Sequence, residues 1–188
     1  TKVCGSSLTA AMLASPAIRA GDASLMVAGG FESMSRAPFL VSGRTGELRF
    51  GNQQLTDALL VDGLWDSFEN WGMGQAAEFI ADEYEVTREA MDRFALESHQ
   101  KAVQAMNSCF VESQILPVEI PQKKGTPVII RGGESPRPDS SLEALARLRP
   151  AFKKDGTVTA GNAPGTNDGA AAVVVTTDRT AARLGRAP

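Results

Sequence analysis

The stretch Val3-Cys4-Gly5-Ser6-Ser7-Leu8-Thr9-Ala10-Ala11-Met12 decides how the rest of the chain is interpreted. A cysteine is followed by small residues and then by residues that favour a helix, so the pattern places Cys4 at the start of a helix. The free N–H groups and the positive end of the helix dipole favour a thiolate there, and the thiolate is the nucleophilic form. The same pattern also fits a small buried cysteine that packs behind a helix, and both interpretations stay open.

The composition limits the class of protein. The chain has 188 residues, of which 43% are hydrophobic, and a formal net charge of −3, which fits one domain or slightly more. It has no basic stripe for nucleic acid, no apolar run long enough to span a membrane and no recognisable signal peptide. The two cysteines, Cys4 and Cys109, form no disulfide framework or zinc pattern, so we expect a reducing compartment and a cytoplasmic protein.

The first part of the chain predicts a helix followed by a strand. Residues 7–20 have the composition of an Ala-rich helix, with a kink expected near residues 12–16 because Pro16 removes a backbone donor. Residues 23–28 predict a buried strand that ends in Gly29-Gly30. A helix followed by a short buried strand favours an α/β sandwich with a parallel sheet.

The middle of the chain predicts mainly loops and helices. Residues 42–54 have the composition of an exposed loop, and residues 56–62 predict a short helix. Two amphipathic helices are predicted, one over residues 73–84 and one over residues 88–106 with Thr87 as its N-cap. The second contains His99, which we expect on a solvated face.

The last part of the chain predicts short elements joined by loops. Strands are expected within residues 116–120 and 128–130, and the Ser140-x-x-Glu143 pattern predicts a capping box that opens a short helix. A polar, glycine-rich loop over residues 157–169 leads into a strand over residues 170–175. The loop has neither a P-loop nor a dinucleotide-fold pattern, so a close approach of a ligand and ordinary Asx turns both stay open.

Several motifs, taken in order, resemble those of thiolases, the family of acetyl-CoA acetyltransferases and 3-ketoacyl-CoA thiolases. The N-terminal ones are Val3-Cys4-Gly5-Ser6, Ile18-Arg19-Ala20-Gly21-Asp22-Ala23 and Val27-Ala28-Gly29-Gly30-Phe31-Glu32-Ser33-Met34-Ser35. Those of the middle are Met73-Gly74-x-x-Ala77-Glu78, Asp92-x-Phe94-Ala95-x-x-Ser98-His99-x-x-Ala102 and Leu148-Arg149-Pro150-Ala151-Phe152. The last are Gly161-Asn162-Ala163 and Asn167-Asp168-Gly169-Ala170-Ala171. Each motif is moderately specific, and the ordered set over nearly the whole chain is highly specific.

The resemblance implies an α/β fold, the thiolase-like αβαβα layered sandwich, with part of its N-terminal half present and an inserted α+β loop domain. Residues 1–34 would belong to the core, residues 35–160 would form the loop domain that covers coenzyme A, and residues 161–188 would return to the core sheet. The C-terminal half would be absent, together with the family's Gly-His-Pro and Cys-x-Gly-Gly motifs. The chain is therefore expected to be an internal piece that is inactive alone.

The resemblance also implies a function, which is acyl transfer through an acyl-cysteine in thiolytic cleavage or reversible Claisen condensation. Cys4 would be the catalytic nucleophile, and acyl-CoA and coenzyme A would be substrates. No permanently bound cofactor and no metal are implied, and the complete enzyme would be a homodimer or homotetramer. By motif position, the residues expected to line the coenzyme A site, with Arg137 nearer the nucleotide end, are Leu64, Met73, Arg137, Phe152, Ala160, Ala163 and Gly165.

The chain departs from the family's pattern in three places. Ser7 stands where the family often has glycine, and Pro164 stands where many members have a serine that contacts the pantetheine arm. Gly72 stands where biosynthetic members often have a histidine. Two alternatives stay open, a ketoacyl-synthase-like condensing enzyme and a non-catalytic coenzyme A-binding or scaffold fragment in which Cys4 only packs.

Overall fold

A computed structural model describes residues 2–41 and 50–186, without the side chains of Cys109 and Phe110. It divides into two compact units, the first made of Thr1–Asn70 with Thr166–Pro188 and the second of Trp71–Gly165. Most of the loop expected at residues 42–54 lies outside the described residues. The three-part division at residues 34 and 160 stays a prediction.

The first unit combines one long helix with a two-stranded sheet. Its helices and strands are α1 (Ser6–Ala20), β1 (Leu25–Ser33), β2 (Phe39–Leu40), β3 (Thr56–Asp57), β4 (Trp65–Asp66), β8 (Asp168–Thr176) and α6 (Asp178–Arg183). Helix α1 is confirmed and ends at Ala20. Its C-cap, Gly21, has a left-handed φ of 86°, which favours glycine. Pro16 lies inside α1, and the kink expected there stays a prediction.

The sheet of the first unit is antiparallel, so the predicted parallel pairing is wrong. Strand β1 pairs with β8 along its whole length, with Leu25 opposite Thr176 and Ser33 opposite Asp168. A helix that leads into one strand indicates an α/β arrangement, but it does not fix the direction of the strand that pairs next. Here the pairing strand comes from the far end of the chain and runs the opposite way.

Gly29 and Gly30 lie inside β1, so the strand does not end there as the sequence predicts. Neighbouring atoms leave no room for a side chain at either glycine. A Cβ at Gly29 would lie 2.9 Å from the Cα of Ala172 and closer still to the carbonyl oxygen of Ala171. A Cβ at Gly30 would collide with the hydroxyl of Ser7 in the first turn of α1. The two glycines therefore let both β8 and the start of α1 approach β1 closely.

Both strands of this sheet were predicted to be buried, and much of their surface is exposed. Ala28 is buried, at 6% exposure, on the face that meets α1, whereas Val27 and Val174 on the other face are 69% and 63% exposed. Val173, which lies opposite Ala28 on the face toward α1, is also 56% exposed, so the prediction of burial is wrong for most of β8 and for the outer face of β1.

The second unit is mainly helical. Its helices and strands are β5 (Trp71–Gly72), α2 (Met73–Glu83), α3 (Arg88–Met106), α4 (Cys109–Glu112), β6 (Val118–Ile120), β7 (Val128–Ile130) and α5 (Leu142–Ala146). The two amphipathic helices are confirmed, and Thr87 caps α3 by accepting a hydrogen bond from the N–H of Ala90 at 3.2 Å. The two short strands are also confirmed and pair antiparallel.

The short helix expected at residues 56–62 is wrong in its first half. Residues 56 and 57 form β3, which pairs with β2, and a π-helix follows at Leu60–Leu64. The carboxylate of Asp57 accepts a hydrogen bond from the N–H of Leu59 at 2.9 Å. The helical turn therefore starts only after the strand.

The capping residue predicted for α5 is wrong by one position. The hydroxyl of Ser141, not that of Ser140, accepts a hydrogen bond from the N–H of Ala144 at 3.1 Å. The N–H of Ser140 instead donates to the carbonyl of Arg137 at 3.3 Å, so Ser140 belongs to the preceding turn.

Gly29→Ala is expected to lower the free energy of unfolding by about 1–3 kcal/mol, because its new methyl group meets backbone atoms that cannot move aside. The matched control is Gly169→Ala in β8, where a Cβ would meet no described atom within 4 Å. That control should change the free energy of unfolding by less than about 0.5 kcal/mol. Denaturant unfolding of the complete protein measures both, and equal effects would contradict the close approach of β8 to Gly29.

Candidate functional site

Cys4 lies directly before α1, as the sequence predicts. It occupies the 3-10 turn Val3–Gly5, and Gly5 is the N-cap of α1. Its thiol is free and exposed. The position places a potential nucleophile beside the N–H groups of the first helical turn, which have no partner within a helix.

The turn that carries Cys4 is held by Ser6. The hydroxyl of Ser6 donates to the carbonyl of Val3 at 2.8 Å and accepts from the N–H of Lys2 at 2.8 Å. Val3 has a φ of 50°, a left-handed conformation that is rare for a β-branched residue. Strain of this kind occurs where surrounding contacts hold a functional residue in place, and nothing in the sequence pattern predicts it.

Cys4 opens onto a cavity of about 990 Å³ that lies wholly within the first unit. Its walls come from the start of α1, the end of β1 with the turn after it, the π-helix and residues 169–171 of β8. Leu64, one of the residues predicted to line the coenzyme A site, is part of this wall. The volume lies near the upper end of about 300–1,000 Å³, the range of typical small-molecule pockets.

Asp168 ties the start of β8 to the turn after β1. Its carboxylate accepts hydrogen bonds from the hydroxyl of Ser35 at 2.5 Å, from the N–H of Ser35 at 2.9 Å and from the hydroxyl of Ser33 at 3.3 Å. The bond from the Ser35 hydroxyl, followed by that from its N–H, lowers the pKa of Asp168 below its ordinary value. Because Ser33 and Met34 line the cavity, the ionised carboxylate holds one of its walls.

In the second unit, Met73 and Phe152 lie at the start of α2. Met73 is the first residue of that helix, and the next residue, Gly74, has no room for a side chain because the ring of Phe152 fills the space. Met73 is 43% exposed and Phe152 is 47% exposed. Two residues predicted to contact coenzyme A therefore occupy neighbouring, partly exposed positions.

Ala160, Ala163 and Gly165 lie in or next to the segment of residues 150–163, whose second part falls in the loop predicted over residues 157–169. Ala160 and Gly165 are exposed, and Ala163 is half-buried. The segment is ordered by its own backbone, since Ala151 N–H donates to the carbonyl of Val158 at 2.9 Å.

Glu78 of α2 is buried, at 3% exposure, and reaches into this segment. Its carboxylate accepts from the N–H and hydroxyl of Thr157, at 2.9 and 3.0 Å, and from the N–H of Val158 at 2.9 Å. Burial by itself raises the pKa of Glu78, but these three hydrogen bonds and the charge of Lys153 outweigh it and lower the pKa below 4.5. The charged form is therefore the one that the segment binds.

A second buried carboxylate, Asp92 of α3, binds the same segment through Asn162. The amide nitrogen of Asn162 donates to Asp92 and to the carbonyl of Thr157, each at 3.0 Å. The amide oxygen of Asn162 accepts from the N–H of Thr159 at 2.8 Å. On its other side Asp92 pairs with Arg88 at 2.8 Å, so its charge is compensated.

Arg137 lies on the surface of the second unit. Its guanidinium pairs with Asp139 at 3.0 Å, and that hydrogen bond raises the pKa of Arg137 and lowers the pKa of Asp139. The backbone N–H of Arg137 donates to Nδ1 of His99 at 3.2 Å. His99 is half-buried, which differs from the solvated position that the sequence predicts.

The structure therefore places Cys4 and Leu64 on one cavity and the other six predicted residues in the second unit. The sequence alone does not predict the roles of Glu78, Asp92, Asn162 and Asp168, although all four stand inside the motifs quoted above. One feature of the sequence could have indicated a role for Glu78, because this charged residue interrupts the apolar face of α2.

Within residues 2–41 and 50–186, no group of three or more His, Cys, Asp and Glu side chains could hold a metal ion. No helix in the described part of the chain is both long and apolar enough to cross a membrane.

Comparison with known proteins identifies relatives along the whole chain. The family model described as the thiolase N-terminal domain matches residues 1–179. The chain is 48% identical over its full length to a probable acetyl-CoA acyltransferase of Staphylococcus epidermidis, and 50% identical to an acetyl-CoA acetyltransferase of Cupriavidus necator. In each case the match covers 48% of the relative, so the chain spans about half the length of these curated relatives.

Solved structures give the same result for the fold. An acetyl-CoA acetyltransferase from Syntrophomonas wolfei superimposes with a TM-score of 0.89 and 40% identity, over 98% of this chain and 46% of that one. A human mitochondrial 3-ketoacyl-CoA thiolase gives 0.88 and 35%, over 98% and 47%. These likenesses confirm the thiolase-like α/β fold class predicted from the sequence.

Glu78→Gln is expected to lower the free energy of unfolding by about 1–3 kcal/mol at neutral pH, because a buried N–H loses its acceptor. The folded-state pKa of Glu78 lies below its ordinary value of 4.5. Its contribution is therefore complete above about pH 4.5 and is lost as the pH falls through the lower folded-state value. Urea unfolding of the complete protein over this pH range should show the difference between the two proteins shrinking with acid.

The control for this series is Glu83→Gln, which changes an exposed carboxylate of the same helix. It should alter the free energy of unfolding by less than about 0.5 kcal/mol. A Glu78→Gln difference that stays constant from neutral pH down to about pH 3 would contradict a stabilising role of the ionised carboxylate.

Proposed function

The chain belongs to the thiolase family, and from this premise we propose that the complete protein is an acyltransferase that acts on acyl-CoA through an acyl-cysteine at Cys4. The observation that carries the proposal is the exposed thiol of Cys4 beside a cavity of about 990 Å³. A covalent acyl intermediate requires an accessible sulfur and adjacent space for the acyl group, and the first unit offers both.

In condensation, the sulfur of Cys4 attacks the thioester carbon of an acyl-CoA, and coenzyme A leaves as its thiol. The acyl group then passes from the sulfur to the carbanion of acetyl-CoA. In thiolysis, the sulfur attacks the 3-keto carbon of a 3-ketoacyl-CoA, the carbon–carbon bond next to that carbon breaks, and acetyl-CoA leaves after its carbanion is protonated. The acyl group then passes from the sulfur to the thiol of coenzyme A. Each step places negative charge on the carbonyl oxygen, which backbone N–H groups of the kind found at the start of α1 can stabilise.

The base that accepts the proton of Cys4 is assigned to a part of the complete protein outside this chain. His99 is the one histidine of the sequence, and its Nδ1 accepts a hydrogen bond from the backbone of Arg137, so we give it a structural role. The resemblance implies a histidine in a Gly-His-Pro motif as the base, and a second cysteine in a Cys-x-Gly-Gly segment that moves the proton on the acetyl carbon.

The proposed coenzyme A contacts have surfaces that suit different parts of the ligand. Leu64 would meet it at the cavity beside Cys4. Met73 and Phe152 offer partly exposed apolar surface for the pantetheine arm, and the small residues near the end of the 150–163 segment allow close approach to the backbone. These small residues are Ala160, Ala163 and Gly165.

Arg137 is proposed to lie nearer the nucleotide end of coenzyme A. Its ion pair with Asp139 is exposed on both sides, and exposed pairs of this kind are weak, about 0–1 kcal/mol. A phosphate group can therefore compete for the same guanidinium, since charge-assisted bonds from arginine to phosphate are strong.

Further parts of the proposal concern substrates, assembly and location. The relatives named above are acetyl-CoA acyltransferases and acetyltransferases, which supports acyl-CoA and coenzyme A as substrates. The chemistry needs no permanently bound cofactor, because the cysteine itself carries the acyl group. A homodimer or homotetramer is proposed from the family resemblance. A cytoplasmic location is proposed because the free thiol of Cys4 suits a reducing compartment.

Of the two alternatives, the ketoacyl-synthase-like enzyme is not favoured, because the matching family model and the relatives described above are thiolases. The other alternative is a non-catalytic protein in which Cys4 only packs. Its exposure argues against a packing role, and the following experiment separates the two.

Incubation of the complete protein with acetyl-CoA is expected to add one acetyl group, which peptide mapping by mass spectrometry should place on Cys4. Cys4→Ala should abolish the adduct, because the nucleophile is removed. Cys109→Ala, the change of the chain's other cysteine, is the matched control and should leave the adduct intact. A folded complete protein that binds coenzyme A and shows no adduct on Cys4 would favour the non-catalytic alternative.

A further inference from the structure

We propose that Glu78 and Asp92 are positioning residues for coenzyme A, which act by holding the segment of residues 150–163 in its binding conformation. The inference rests on the proposed function. It goes further by assigning a role to two buried carboxylates whose hydrogen bonds go to Thr157 and Val158, and to Arg88 and Asn162.

The segment is shaped around the carboxylate of Glu78. Two consecutive backbone N–H groups, those of Thr157 and Val158, donate to its two different oxygens, each at 2.9 Å. Gly156 stands where any Cβ would collide with the same carboxylate, lying 2.7 Å from its carbon. The preceding Asp155 has a left-handed φ of 58°. The turn is therefore built to receive an ionised side chain from α2.

The second half of the segment is held from α3. Asn162 uses both ends of its amide, donating to Asp92 and to the carbonyl of Thr157 and accepting from the N–H of Thr159. Thr159 is fully buried, at 0% exposure, and its carbonyl accepts from the N–H of Ala163 at 3.0 Å. Glu78 therefore holds the segment at Thr157 and Val158, and Asp92 holds it at Asn162.

Three of the seven residues predicted to bind coenzyme A lie beside the residues that Glu78 and Asp92 hold. Phe152 and Ala160 flank the turn that Glu78 holds, and Ala163 follows Asn162 directly. All three belong to the same short segment, whose first part is also held by the Ala151–Val158 backbone hydrogen bond and by the ring of Phe152 against Gly74. The hydrogen bonds that the two buried carboxylates accept hold the turn at Thr157–Val158 and the position of Asn162.

A segment that is held in its binding conformation before coenzyme A arrives should affect the binding of coenzyme A and should leave the reaction at Cys4 unchanged. A loop that is already in its binding conformation does not have to be ordered when the ligand arrives, and this raises affinity. A reaction that involves only Cys4 and a small thioester makes no use of the segment. When the hydrogen bonds to the segment are removed, we therefore expect a loss of affinity that is larger for a substrate that contains more of coenzyme A.

The test uses two acetyl donors with the complete protein. One is acetyl-CoA, and the other is the acetyl thioester of N-acetylcysteamine, which has the reacting group but lacks most of coenzyme A. Glu78→Gln is expected to raise the concentration of acetyl-CoA that half-saturates acetylation of Cys4 by about tenfold. Its rate with the truncated thioester should stay within about twofold of the wild type.

Two further variants make the test sharper. Thr157→Val removes only the hydroxyl donor and keeps both backbone bonds to Glu78, so a smaller rise of about two- to threefold is expected with acetyl-CoA. Glu83→Gln changes an exposed carboxylate of the same helix and should behave as the wild type. If Glu78→Gln does not fold, Thr157→Val decides, and its half-saturation with acetyl-CoA must rise for the inference to stand.

The results separate this inference from the function on which it rests. An unchanged half-saturation in Glu78→Gln, or an equal loss with both thioesters, would overturn the positioning role while acetylation of the wild-type Cys4 still supports the acyltransferase. A wild-type protein that is acetylated by neither thioester would overturn both.

Discussion

The first unit depends on a steric constraint, which is the absence of side chains at Gly29 and Gly30. Strand β8 can pair with β1 at Gly29 only because no Cβ stands between it and the Ala171–Ala172 backbone, and the first turn of α1 can meet β1 only because Gly30 leaves space for Ser7. Cys4 precedes that turn directly. Close packing at Gly30 therefore fixes the position of the start of α1, the helix that Cys4 precedes.

In the second unit, two buried carboxylates, Glu78 and Asp92, bind the segment of residues 150–163. A buried carboxylate is costly unless hydrogen bonds replace the water it loses, and Glu78 and Asp92 meet this condition in different ways. Glu78 receives three donors from one turn, whereas Asp92 shares its oxygens between Arg88 and Asn162. Because each carboxylate stabilises the segment that satisfies it, the segment and the helices depend on one another.

The sequence predicted the helices and strands that local patterns specify. It did not predict the contacts between residues that lie far apart in the chain. Periodicity and the Thr87 cap located α2 and α3, and the small residues after Cys4 located the start of α1. The direction of β8 could not be predicted, because nothing local to β1 specifies its partner. The hydrogen bonds of Glu78 with Thr157 join residues 79 positions apart, so spacing alone offered no route to them, although the ordered motifs contained most of these residues.

Two kinds of constraint therefore serve two proposed tasks. A nucleophile must be presented at a fixed place, and close backbone packing does this well, because a packed backbone has no alternative arrangement of similar energy. A surface for a long, flexible ligand must keep its shape without a thick core beneath it, and hydrogen bonds to buried charges provide that order in a short segment. If the two tasks are separate, a substitution in the second unit can weaken the hold on coenzyme A while the reactivity of Cys4 stays intact.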